Sequence, residues 1–271
     1  MNEIALITGA SSGIGKAAAK LLLEKGCVVY AGARRLDKLR DLEASGAKAV
    51  FLDMTDEASL GKAVALILEK EGRLDILVNN AGYGVNGAVE DVPMPEARRQ
   101  FEVNLFGLAR LTQLVLPGMR ERGGGRIINI SSIAGKIGMP LGGWYHASKH
   151  ALEAYSDALR LETGRFGIKV VLVEPGPIKT EWDTVAVANL LKYSGAGPYA
   201  AMTDKLVNRL RGAYRSGAPG PEAVALVIWK AIRARRPAAR YAAPFRARIM
   251  LFLRWLLPDR VWDAAVNFML N

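Results

Sequence analysis

The chain has 271 residues, 51% of them hydrophobic, and 37 Lys and Arg against 26 Asp and Glu give a formal net charge of +11. That much apolar material supports one large α/β domain and excludes an intrinsically disordered chain. The only cysteine, Cys27, excludes an internal disulfide framework and a multi-cysteine metal site, and suits a reducing, cytoplasmic setting.

The opening MNEIALITGA already reads as a strand, with no charged segment leading into an apolar core, so no leader is expected. Further strands are predicted at CVVYAGA, AVFL, DILVN, RIINIS and KVVLVE. Amphipathic helices are predicted over 14–25, 57–71 and 95–122, the last as two helices meeting near Asn104. Strands that are continuously apolar and alternate with helices predict a Rossmann-type, doubly wound parallel sheet. About seven strands are expected, with helices on both faces. A single domain over 1–271 is expected. An insertion at about 182–220 would lie beyond the carboxyl ends of the strands, where such sheets bind ligands.

No run reaches the roughly 20 apolar residues that span a bilayer. Positive charge gathers late in the chain, from Arg233 to Arg260, without a nucleic-acid motif, so no nucleic-acid partner is expected. The stretch FRARIMLFLRWLLPDRVWDAAVNFML mixes large apolar groups with arginine. It suits a pair of helices capping a site, at about 245–271, or a segment resting on anionic membrane. The cap is preferred, and peripheral membrane contact stays open.

TGASSGIG follows the first strand and opens a helix. Gly9, Gly13 and Gly15 let the backbone turn sharply and approach a pyrophosphate, while the helix offers free N–H groups to the anion. Ser11, Ser12 and Ile14 lie in the same turn. After the second strand, NAD-selective sites place a carboxylate for the ribose hydroxyls. Here Ala33 is followed by Arg34 and Arg35, whose guanidinium groups suit a 2′-phosphate, so NADP(H) is expected over NAD(H). Two ordinary surface arginines are the plain alternative. His146 and His150 are spaced i,i+4, yet no carboxylate completes a metal site, so no metal is expected.

TGASSGIG, NNAG, Asn104 in FEVNLFG, Ser132 in NISS, YHASK and PGPIKT fall in this order between residues 8 and 180. Together they resemble the short-chain dehydrogenase/reductase family. EDVPMPEARRQFEVNLFG, GKIGMPLGGWYHASKHALEAYSDALRLE and EPGPIKTEW are most similar to its bacterial 17β-hydroxysteroid dehydrogenase-like group. The resemblance implies interconversion of a carbonyl and an alcohol, with Tyr145 as general acid/base. The alternatives are a non-catalytic NADP(H)-binding regulator or redox sensor, and another reaction passing through a transient ketone. A free tyrosine titrates near pH 10. Lys149, one helical turn from Tyr145, and the oxidised nicotinamide are expected to lower that value by charge.

The same resemblance gives Ser132, 13 residues before Tyr145, the substrate oxygen, and gives Asn104 a water in a proton relay. It gives Lys149 the nicotinamide ribose and Asp53, beside Met54, the adenine. Asn80, Ala81 and Gly82 would line the adenosine and ribose side. Pro175, Gly176, Ile178 and Thr180 would hold the carboxamide and phosphates. Taken singly, Tyr145 could be a packed aromatic, Asn104 a helix-junction cap, Ser132 a strand-end hydroxyl and Asp53 a turn former.

Ile137, Met139, Leu141 and Trp144 are expected to wall a substrate pocket, covered by Val185, Leu190 and Leu191. That implies a lipophilic carbonyl or alcohol substrate. Ala147, Ala151, Ala154 and Ala158 share one side of their helix, with Leu152, Tyr155 and Leu159 on another, so a homodimer or homotetramer is expected.

Overall fold

The computed structural model describes residues 2–180, 182–215 and 217–270. Seven strands form one sheet: β1 (Ile4–Thr8), β2 (Val28–Ala33), β3 (Lys48–Phe51), β4 (Ile76–Asn79), β5 (Gly125–Ile130), β6 (Ile168–Pro175) and β7 (Arg240–Ala243). Their order is β3-β2-β1-β4-β5-β6-β7, and every pairing is parallel. The order reverses between β1 and β4, which opens a crevice at the carboxyl ends of the strands.

Helices cross between the strands: α1 (Gly13–Glu24), α2 (Arg40–Ala44), α3 (Glu57–Glu71), α4 (Met94–Phe101), α5 (Gly107–Glu121) and α6 (Gly143–Thr163). Next come α7 (Trp182–Ser194), α8 (Ala200–Arg215), α9 (Glu222–Arg233), α10 (Phe245–Leu256) and α11 (Asp259–Leu270).

Strand side chains alternate between faces, so each strand feeds two cores. Ala5, Ile7, Val29, Ala31, Ile76, Val78 and Ile128 pack under α1 and α9 with Ala18, Leu22 and Ile228. Leu6, Tyr30, Leu77, Ile127 and Val170 pack on the opposite face with Leu60 and Ile67 of α3, Leu111 of α5 and Leu152 of α6. Both faces being covered explains why the strands read as unbroken apolar runs.

The predicted strands coincide with β1–β6 to within a residue or two. The predicted helix over 95–122 is α4 and α5, joined by one π-helical turn, Glu102–Phe106, that contains Asn104. The irregular insertion is instead two helices, α7 and α8. Most of its Gly and Pro residues lie at the joints, around the 3-10 turn Gly197–Tyr199 and before α9, while Gly212 lies within α8. Ser216 in that insertion, Asn271 in the C-terminal cap and Glu181 of EPGPIKTEW lie outside the described residues.

A buried polar chain crosses the second core. Asn79 Nδ2 donates to Asn129 Oδ1 at 2.9 Å and to Thr112 Oγ1 at 3.2 Å, and Asn129 Nδ2 donates to Ser156 Oγ at 2.8 Å. It ties β4 and β5 to α5 and α6 where the strands end. Asn129→Ala strands the Asn79 amide in the core, and is expected to lower the free energy of unfolding by about 2 kcal/mol. Urea unfolding measures this, and a loss under about 0.5 kcal/mol would show the chain of bonds to be dispensable.

Candidate active site

The glycine-rich turn and the loop after β4 are stapled by one residue. Thr8 Oγ1 accepts from the backbone N–H groups of Asn80 (2.9 Å) and Ala81 (2.8 Å). Asn80 Nδ2 donates back to the carbonyls of Thr8 (3.0 Å) and Gly9 (3.2 Å). Gly9 sits at φ +67°, and a Cβ on Gly15 would overlap both the Gly9 carbonyl and the Asn80 amide. The cradle therefore closes only around glycines. Ser11, Ser12, Gly13 and Ile14 are partly exposed at its rim, and Thr180 stands in van der Waals range of Gly13. The backbone N–H groups at the start of α1 are, by their chemistry, a donor set that could hold a phosphate.

Arg34 and Arg35 are exposed immediately beyond buried Ala33 at the end of β2. Asp53 Oδ1 accepts from Thr55 N (3.0 Å) and Thr55 Oγ1 (2.9 Å), so one carboxylate oxygen forms a turn. Met54 is buried in the second core, its carbonyl close under Gly107. Ile178 is buried in the first core, and Gly176 lies against Ala247 of α10.

Four residues converge at the ends of β4 and β5. Asn104 is buried, and its Oδ1 accepts from Tyr83 N at 3.0 Å. Its Nδ2 donates to the Tyr83 carbonyl (2.9 Å) and to Ser148 Oγ (3.1 Å). The π turn aims this side chain inward, and such turns often mark functional sites. Lys149 is buried and donates to the Ile130 carbonyl at 2.9 Å. Its ammonium lies 6.0 Å from the centre of the Tyr145 ring. The Tyr145 hydroxyl hydrogen-bonds the Ser132 side chain. Ser132 Oγ also accepts from Ala134 N (3.1 Å) and donates to the Pro175 carbonyl (3.4 Å). Ser131, by contrast, is buried beneath Gly135, which separates the roles of the two adjacent serines.

Burial sets the charge states. It pushes the Tyr145 phenol up to about 12, with the Ser132 bond acting in the opposite direction. It brings the Lys149 ammonium down to about 8, against the attraction of Glu153 one turn along. The expected lowering of Tyr145 by Lys149 is therefore not seen in the chain alone. Both groups are desolvated, and the ammonium gives a hydrogen bond to a backbone carbonyl rather than to the phenol.

The proposed substrate wall divides. Ile137 is packed against Trp262 and Val266 of α11, with Met139 and Leu251 beside them. Leu141 and Leu190 are buried together with Ala88 and Val207. Trp144 turns the other way: its Nε1 donates to the Val89 carbonyl (3.2 Å), and its ring lies with Val85, Val92 and Ala97. Val185 and Leu191 are both exposed, on different sides of α7. Hydrophobicity marked these residues correctly as apolar, but Ile137, Leu141 and Leu190 are core and Trp144 belongs to the outer face. Asn189 of α7 donates to the Gly84 carbonyl (3.2 Å), joining the insertion to the loop after β4. Nothing in the sequence pattern singled out that residue. His146 Nδ1 faces the carbonyls of Ala134 and Ile137, and His150 Nδ1 that of His146, so both rings serve the backbone.

The sequence over residues 3–190 matches the family model described as short chain dehydrogenase. A probable short-chain type dehydrogenase/reductase, VdlC of Helicobacter pylori, is 38% identical over 261 residues, covering 96% of this chain and 95% of that one. An NADPH-dependent 3-dehydrocapnine reductase of Ornithobacterium rhinotracheale is 38% identical over 270 residues, covering 96% and 94%. The crystal structure of a short-chain dehydrogenase from Streptomyces avermitilis superimposes with a TM-score of 0.84 at 34% identity, covering 99% of this chain and 97% of that one.

Lys149 makes stability depend on pH with a definite sign. An ammonium lowered from its usual 10.5 to about 8 destabilises the fold while charged. Between these values the unfolded chain binds more protons, so stability rises with pH. Wild type is expected to gain about 3 kcal/mol between pH 8 and 10.5 relative to Lys149→Met. Denaturant titrations across that window test this, and parallel curves for the two proteins would refute it.

Proposed function

We propose, given that this chain belongs to the short-chain dehydrogenase/reductase family and is an NAD(P)-dependent oxidoreductase interconverting carbonyl and alcohol, that it works as an NADPH-dependent reductase of a lipophilic ketone or aldehyde. The observation that carries the reading is the Tyr145 phenol, bonded to Ser132 and held one turn from Lys149.

Bound NADPH supplies the hydride. The chain's own residues manage the proton and the charge. Ser132 and Tyr145 present two hydroxyls to one carbonyl oxygen, which orients it and stabilises the charge it gains. Tyr145 then gives up its proton. A phenol kept neutral at physiological pH is in the correct state to donate, which favours reduction as the working direction. Lys149 stabilises the phenolate left behind by charge, and Asn104, bridging Tyr83 and Ser148, keeps the neighbouring loop in place for proton return.

Arg34 and Arg35 support NADPH, since two guanidinium groups stand where a carboxylate would repel a 2′-phosphate. The name of the Ornithobacterium relative points the same way. The apolar character of Met139, in the segment between Ser132 and Tyr145, supports a lipophilic substrate. The 17β-hydroxysteroid dehydrogenase-like motifs put steroid ketones among those to try. We assign the exposed alanines of α6, Ala147, Ala154 and Ala158, to contact between copies in a dimer or tetramer.

Arg34→Ala is expected to raise the KM for NADPH about 10- to 100-fold and leave that for NADH nearly unchanged. Equal effects on both cofactors would remove the guanidinium from the selection. Tyr145→Phe is expected to lower kcat by roughly 10²- to 10⁴-fold without weakening cofactor binding. Carbonyl-dependent NADPH oxidation reports both, and undiminished turnover in Tyr145→Phe would end the proposed role of the phenol.

A further inference from the structure

α10 and α11 each have one face against the protein and one against nothing. On α10, Ala247 is buried, while Leu251 and Arg254 are partly buried against the body. The opposite side presents Phe245, Ile249, Phe252, Leu253 and Leu256, all exposed, Phe245 at 70%. Their spacing of i, i+4, i+7, i+8 and i+11 makes one continuous apolar stripe. Arg246 and Arg248 are exposed on its two flanks, and α10 contains no Asp or Glu. On α11, Trp262 and Val266 are buried, and the reverse face exposes Val261 and Phe268, the latter at 85%. Trp255, in the last turn of α10, adds to the exposed apolar surface at 79%.

This surface is far more apolar than a solvated face requires, and adjacent large exposed side chains mark an interaction site. The charges around it decide the partner. Among the described residues, neither Arg246 nor Arg248 is in an ion pair, and Asp259 is taken by Arg254. Asp263 is exposed on the polar side of α11, away from the stripe. A second copy docked face to face would bring arginines toward arginines. An anionic surface satisfies both the stripe and its flanks.

Twelve residues at 1.5 Å each make α10 about 18 Å long, too short to cross the roughly 30 Å hydrocarbon layer. No helix among the described residues is long and apolar enough to span a membrane. An amphipathic helix with aromatic and aliphatic groups on one side and arginines at the boundary lies in the plane of the interface instead. We infer that the α10–α11 pair docks this protein on anionic lipid bilayers, with the Phe245–Leu256 stripe in the acyl boundary and Arg246 and Arg248 at the headgroups. The inference concerns this surface alone and stands apart from the reaction assigned above.

The test is co-sedimentation of the full chain with phosphatidylcholine vesicles, with and without phosphatidylglycerol. Binding to the anionic vesicles is expected to exceed binding to the neutral ones about tenfold or more, and to fall as salt is added. Phe252→Glu with Leu256→Glu is expected to lower it about tenfold or more, and Arg246→Glu with Arg248→Glu to remove the preference for anionic lipid. All four positions are exposed, and circular dichroism with the thermal midpoint confirms that each variant is folded. No sedimentation with anionic vesicles overturns the inference. So does binding that both double variants retain. Dimers that the Phe252→Glu, Leu256→Glu variant splits into monomers, without vesicle binding by wild type, would assign the face to a second copy.

Discussion

Lys149 is an ammonium group with almost no water around it, and much of the catalytic end is organised by that fact. Desolvating a cation costs several kcal/mol unless fixed partners replace the water. The Ile130 carbonyl is one such partner, at 2.9 Å. Glu153, one turn further along α6 and also buried, is the compensating charge. Glu153 in turn is held by Arg240 of β7 (2.9 Å) and by Lys136 (3.4 Å). Arg240 reaches Asp157 at 2.6 Å and Glu174 at 3.6 Å. Three acids and three bases thus join α6, β6, β7 and the segment after β5 into one electrostatic unit. Glu174, at the end of β6, shows how finely it is poised: burial first, then the nearness of Glu153, raises its carboxyl to about 7. The seventh strand is short and its first residue is an arginine, and that cation completes the ion-pair cluster.

Much of this was legible in the sequence because parallel sheets and glycine turns leave strong patterns. Six strands announced themselves as unbroken Val, Ile, Leu and Ala runs, and the junction at Asn104 showed as a change of helical phase. The family resemblance pointed to Ser132, and the fold tells it from Ser131: Ser132 bonds the phenol, whereas Ser131 lies under Gly135. β7 was not located because RYAA is four residues long, begins with a charge and has no β-branched residue. α7 and α8 were harder to read because glycines and prolines punctuate 182–220, although most of these lie at the joints and only Gly212 falls inside a helix.

The site was less legible than the fold for two physical reasons. An apolar side chain looks the same in sequence whether it lines a cavity or fills a core, so Ile137, Leu141 and Leu190 could not be told from pocket residues. Their burial follows from helices, α8 and α11, whose docking no local pattern encodes. The acidity of Tyr145 failed differently. Spacing gave the nearness of Lys149 correctly, but charge proximity is only one influence on a titration, and desolvation outweighs it here. That balance depends on how much protein surrounds both groups, which is a property of the packed whole.

Two readings of the C-terminal stretch, cap or membrane segment, looked mutually exclusive while it was a string of letters. Folded into a helical pair, the stretch has one packed face and one exposed face, so the two readings no longer exclude each other. Trp262, Val266 and Leu251 pack with Ile137, Met139 and Ile133, in the segment that follows Ser132. An amphipathic helix ordinarily has water on its second face, and polar residues there. α10 has Phe252, Leu253 and Leu256 instead, with arginines confined to the margins. A composition selected for capping alone would have no use for those groups, since they are exposed and raise its tendency to aggregate. Their arrangement beside flanking cations is what the inferred docking on an anionic bilayer accounts for.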